Sequence, residues 1–222
     1  MSRLHSIQAP IAQIADHFGI PLTRALEALE VPGEITEGLT GLVVIEKNGQ
    51  RLLKALDWGF PRQTRERRLA GDPPERLGLV ANLTSPMWDT MVVDPRYRCL
   101  IVLTHFANPD GEAGAMTRTW FSVTDQPIMA WAGFCRNTPE FGPVYAGMTM
   151  AANDVIPPTN DRMPVLIEPH EYDRWLHGSI KDVIWFQHRP PFAGDRMTVE
   201  RTDDLWRSGV GPPGSAPQLA LL

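Results

Sequence analysis

Side chains able to do chemistry are few and scattered. Cys99 and Cys135 lie far apart and fit no metal-ligand pattern. Cys99 reads as a buried, inert thiol and Cys135 as nearer the surface. Asp16-His17 and His170-Glu171 read as surface or capping groups without metal-ligand spacing. His105, beside Phe106 in an apolar run, has the imidazole that titrates near neutral pH, but strand alternation does not oblige it to face a site. The strongest charge cluster is RQTRERRLAGDPPER (62–76), with Arg62, Arg65, Arg67, Arg68 and Arg76. It is either a solvated face or a rim that touches phosphates.

The elements around these groups are short. Ile11, Ile14, Ala15 and Phe18 have helical spacing over 8–19, with Pro10 in the first turn and Gly19 as the stop. A second short helix is predicted over 22–30. Two apolar runs, 41–47 and 51–60, flank Asn48-Gly49 and predict a hairpin. Residues 83–92 predict a helix capped by Thr84 or Ser85 with Pro86 at its first position. Strands are predicted at 98–106, 117–123, 127–135, 143–151, 182–186 and 196–202, with a turn at 108–114. A helix is predicted at 169–177, with acidic residues in its first turn. Trp120, Trp131, Trp175, Trp185 and Trp206 lie in these patterns and read as core. The tail, 209–222, reads as disordered.

The chain has 222 residues, 43% hydrophobic and 21% charged, which fits one domain over 1–208 with one core. Twenty-one prolines and eighteen glycines favour a β-rich α+β fold. The net charge of −5 argues against indiscriminate coating of nucleic acid, though not against a small basic groove. No apolar run is long enough to span a bilayer and the first residues do not resemble a signal peptide. A cytoplasmic, reduced monomer without membrane contact is the expectation.

Four ordered segments carry a family resemblance: MSRLHS at the start, LDWGFPR (56–62), RCLIVLTHFANPDG (98–111) and PTNDRMPVLIEPHEYDRWL (158–176). Together they resemble the SOS-response-associated peptidase (SRAP) family, over roughly residues 1–205. The resemblance implies a strongly curved, partly barrel-like antiparallel sheet with peripheral helices and one groove. It also implies chemistry on abasic sites in single-stranded DNA, in which an N-terminal cysteine exposed by removal of the initiator methionine condenses with the sugar aldehyde. Its thiol then closes a stable ring.

The resemblance places substitutions at the reactive positions. Ser2 stands where the family has cysteine. After removal of Met1, Ser2 would retain an α-amine of pKa about 8, but a hydroxyl closes the ring poorly. Asn108 stands where the family has its catalytic glutamate, and an amide exchanges no proton at neutral pH. Asn160 stands where the family has histidine. Arg162, Met163 and Pro164 match. A further family element holds DNA with an Asn and an Arg. Asn82 retains the Asn in one alignment, with Thr84 in place of the Arg, and the other alignment puts Leu79 and Ala81 there. The implied DNA-contacting set is Arg3, Trp58, Arg62, Asn82 and Arg162, with Trp58 as a base-stacking surface or a core residue.

Three readings follow. One is a degenerate family member that binds single-stranded or abasic DNA without covalent capture. Another is a Schiff-base lyase that uses the Ser2 amine. The third is a protein-interaction module. No metal or organic cofactor is implied by any of them.

Overall fold

The computed structural model describes residues 3–30, 33–156 and 160–213. In chain order its strands are β1 (Leu4–Ser6), β2 (Glu34–Thr36), β3 (Thr40–Lys47), β4 (Gln50–Trp58), β5 (Phe60–Arg62), β6 (Glu75–Leu77), β7 (Leu79–Val80), β8 (Arg98–Leu103), β9 (His105–Asp110), β10 (Thr117–Val123), β11 (Met129–Thr138), β12 (Gly142–Ala151), β13 (Arg162–Pro164), β14 (Leu166–Ile167) and β15 (Met197–Leu205). Its helices are α1 (Ile11–His17), α2 (Arg24–Glu27), α3 (Arg65–Ala70), α4 (Asp89–Val93), α5 (Tyr172–His177) and α6 (Ile180–His188).

Asn48 and Gly49 close the β3–β4 hairpin with φ of 54° and 72°. Positive φ at both central residues gives a turn whose twist matches the strands. From this hairpin a ring closes: β4 pairs β3, β3 pairs β8, β8 pairs β11, β11 pairs β12, and β12 returns to β4. The last contact is parallel and spans only Val144–Asp57 and Tyr145–Trp58. A second sheet, in the order β15-β10-β9-β1-β2, is antiparallel throughout. This is the expected α+β architecture: a curved, partly closed sheet with helices outside.

The two sheets exchange the chain at Thr104. One strand was expected over 98–106, with a turn at 108–114. Instead β8 ends at Leu103 and β9 runs in the other sheet to Asp110. The Thr104 amide and hydroxyl both donate to the Ser6 carbonyl, at 2.8 and 3.1 Å. Those bonds tie the bend to the end of β1 and satisfy backbone that leaves one ladder for the next.

A second correction concerns 182–186, expected as a strand and found inside α6. Ser179 and Asp182 form a reciprocal capping box, with the Ser179 amide and hydroxyl donating to Asp182 Oδ2 at 2.7 and 2.8 Å. Val183, Phe186 and Gln187 are buried, which is helical spacing. Trp185 is thereby exposed, against the core expectation, and lies under the Arg174 guanidinium 4.0 Å from the ring centre. Residues 209–213 also differ from the expected loose tail: Arg118 donates to the Val210 carbonyl and Gln8 to that of Pro212. Residues 214–222 lie outside the described residues.

Where the two sheets meet, β1 inserts His5 among Trp58 of β4, Trp131 of β11 and Tyr145 of β12, with ring centres 4.9, 5.9 and 6.4 Å away. All four residues are buried. Glycines make room for the rings. A Cβ on Gly147 would stand 2.0 Å from Trp131, one on Gly41 2.2 Å from the Tyr145 hydroxyl, and one on Gly78 2.4 Å from the Trp58 nitrogen. Each indole is also held by a backbone carbonyl: Trp58 donates to Gly78 and Trp131 to Met148, both at 2.7 Å.

Candidate functional site

Pairing of β1 with β9 sets Leu4 opposite Ala107, the residue before Asn108. Pairing of β9 with β10 sets Asn108 opposite Thr119. Asn108 is completely buried there, and among the described residues neither its Oδ1 nor its Nδ2 has a hydrogen-bond partner. Burying a carboxamide unpaired costs roughly 1–3 kcal/mol for each unsatisfied group. Such orphaned groups in a folded core call for an explanation beyond packing.

Asn160 comes to the same place from the segment before β13. It is buried, and its Nδ2 donates to the carbonyl of Pro109, at 2.9 Å. The fold therefore brings Asn160, distant in sequence, to the residue that follows Asn108. Ser2, the third expected member, lies outside the described residues.

Arg162 begins β13 and turns inward. Its Nε donates to the Thr149 hydroxyl at 2.8 Å, and its Nη2 to the carbonyls of Thr149 and Ala81 at 2.5 and 3.2 Å. Gln187 of α6 donates to the same Thr149 carbonyl, at 3.0 Å. The guanidinium thus pins β13 to β12 and to the residue before Asn82. Asn82 is exposed, and its side-chain oxygen accepts from the Thr84 amide and hydroxyl at 2.9 and 2.8 Å. An Asx turn of this kind uses the acceptor locally and leaves the amide donor outward.

The remaining members of the expected set behave differently. Trp58 offers no ring face to a base, because it is wholly buried under His5 and hydrogen-bonded to Gly78. Of the two alternatives for Trp58, the core position is the one found. Arg3 and Arg62 are more than half exposed and sit 3.6 and 3.4 Å from Glu37 and Glu75. Surface pairs of this kind contribute little and exchange readily for other anions. Of the 62–76 cluster, Arg65, Arg67 and Arg68 lie on α3, which buries no residue.

The titratable groups near this region are held neutral. Burial pushes the His5 imidazole down to about 3. Burial also lowers the pKa of His105, which is half-buried at the start of β9. Cys99 is pushed well up, first by burial and then by Cys135, so it is no thiolate near neutral pH. Cys135 is buried as well, against the expectation of a position nearer the surface. Sequence reasoning missed His5. A histidine in a three-residue strand shows no periodicity, and its aromatic neighbours come from three distant segments.

These observations define the class: an α+β protein with a partly closed curved sheet and two buried carboxamides, Asn108 and Asn160, the second bonded to the residue that follows the first on β9. The family model described as SOS response associated peptidase (SRAP) matches residues 3–202, and the chain belongs to that family. Among solved structures, a protein from Bordetella bronchiseptica is similar with a TM-score of 0.71 at 19% identity, covering 91% of this chain and 99% of that one. One from Bacteroides thetaiotaomicron gives a TM-score of 0.71 at 17% identity, over 89% and 90%. A phage-related protein from Bordetella bronchiseptica gives 0.61 at 15% identity, over 91% and 94%. At these identities the likeness speaks to the fold. No curated protein matches the chain.

Proposed function

We propose that this protein is a catalytically degenerate member of the SRAP family that engages single-stranded or abasic DNA non-covalently, without durable capture. The observation that carries this reading is the Asn108–Asn160 pair. Two carboxamides occupy the positions where the family resemblance calls for a glutamate and a histidine, and both are buried in one place. Neither can donate or accept a proton as a general acid or base at neutral pH. Ser2 in place of cysteine removes the thiol that would close the ring.

A second reading, a protein-interaction module, draws support from the cationic groups. Arg162 is committed to Thr149 and Ala81, and Trp58 is unavailable for stacking. On the other side, Arg3 and Arg62 remain as surface cations able to meet phosphate, which favours the DNA reading.

The test is restoration. The variant Ser2→Cys, Asn108→Glu, Asn160→His should acquire a heat-stable adduct with abasic single-stranded DNA, while the parent protein binds the same strand only in a native, salt-sensitive gel shift. A parent protein that gives the stable adduct unaided would overturn the degenerate reading. Absence of native binding would leave the interaction module.

A further inference from the structure

Away from the Asn108–Asn160 pair, α5 and the β3–β4 hairpin bring together three groups that the functional reading does not use. Asp173 and His177 lie four residues apart on α5, so they share one helix face. Glu46 near the end of β3 meets that face, with its Oε2 3.1 Å from His177 Nε2. One ligand atom from each of Glu46, Asp173 and His177 lies within 4.8 Å of the other two. Around a tetrahedral ion with bonds of about 2.1 Å, neighbouring ligand atoms sit about 3.4 Å apart. The Glu46–His177 pair already has that scale, and Asp173 is an exposed side chain able to close the remainder by rotation.

Arg51 of β4 donates to Asp173 Oδ1 at 2.7 Å. That bond orients the carboxylate and leaves its second oxygen free, as outer-shell partners of metal ligands do. Arg51 also opposes a cation, but two carboxylates against one guanidinium leave one net negative charge. Glu46, Arg51 and Asp173 further line a groove of about 1010 Å³ between the α1–α2 segment and β4.

We propose that Glu46, Asp173 and His177 form a binding site for a zinc-class divalent ion at the rim of this groove. An imidazole with two carboxylates is a borderline donor set that favours zinc over magnesium or calcium, which prefer all-oxygen shells. Three protein ligands leave a fourth position free for a small donor.

The experiment is calorimetric titration of the full chain with zinc and, separately, with magnesium. Zinc binds at one ion per chain with micromolar affinity, and magnesium binds much more weakly. His177→Ala and Asp173→Asn each weaken zinc by at least about tenfold, whereas His170→Ala, which removes an exposed imidazole outside the triad, leaves it unchanged. Absence of zinc binding overturns the proposal. So does binding that His177→Ala leaves intact, or that His170→Ala weakens as much. Failure here leaves the degenerate-enzyme reading untouched, because the two sites share no residue.

Discussion

His5 offers the most direct physical test of how β1 is held. Its ring is packed against Trp58, Trp131 and Tyr145, and burial lowers its pKa from 6.5 to about 3. In the unfolded chain the same imidazole regains its ordinary pKa of about 6.5. Because the folded value is the lower one, its contribution is fully present above about pH 6.5 and is lost as pH falls toward 3. Lowering the pH from 7 to 5 lets the unfolded chain take up a proton that the fold refuses, a loss of about 2 kcal/mol. At pH 3, where the folded imidazole is itself half protonated, the loss from this one residue reaches about 4 kcal/mol. Burial also lowers the pKa of His17 and His105, with Asp16 partly opposing it at His17, so both add in the same direction. The comparison with His5→Gln removes their effect. Urea unfolding at pH 7 and pH 5 should show the parent protein losing about 2 kcal/mol more than His5→Gln does. An identical pH dependence in both proteins would mean that His5 titrates in the fold, and that the ring cluster does not exclude water as described.

Further outcomes follow from the same geometry. Asn108→Leu replaces an unpaired buried carboxamide by an apolar group of similar size. It should raise stability by about 1–2 kcal/mol in urea unfolding, and an equal destabilisation would mean that the carboxamide is satisfied in solution. Gly147→Ala places a methyl 2.0 Å from Trp131, whose indole nitrogen is fixed to Met148. It should cost about 3 kcal/mol, read as a melting temperature lower by roughly 6–12 °C; an unchanged melting temperature would refute the close approach.

The sequence was legible where one local signal decides the structure. Asn48-Gly49 between apolar runs could only be a tight hairpin, and Pro10 and Gly19 bracket α1 as helix signals do. Residues 182–186 misled because DVIWF has β-favouring side chains, while the helix is decided by a capping box three residues upstream at Ser179. Thr104 misled because the bend there depends on the Ser6 carbonyl, nearly a hundred residues away. At the candidate site, the motif resemblance pointed to Asn108 and Asn160, but their burial and the inward turn of Arg162 are tertiary facts. Trp58 illustrates the limit best. Its motif is compatible with a stacking surface or a core position, and only the placement of His5 and Gly78 decides between them.

The central claim is loss of covalent chemistry, and one gel tests it. The full-length parent protein is incubated with single-stranded DNA carrying one abasic site, with and without borohydride, and run under denaturing conditions. The account predicts no adduct in the absence of borohydride. An adduct that survives denaturation without the reductant would contradict it outright. One that appears only with borohydride would assign a Schiff-base amine to the protein and replace the degenerate reading with a lyase.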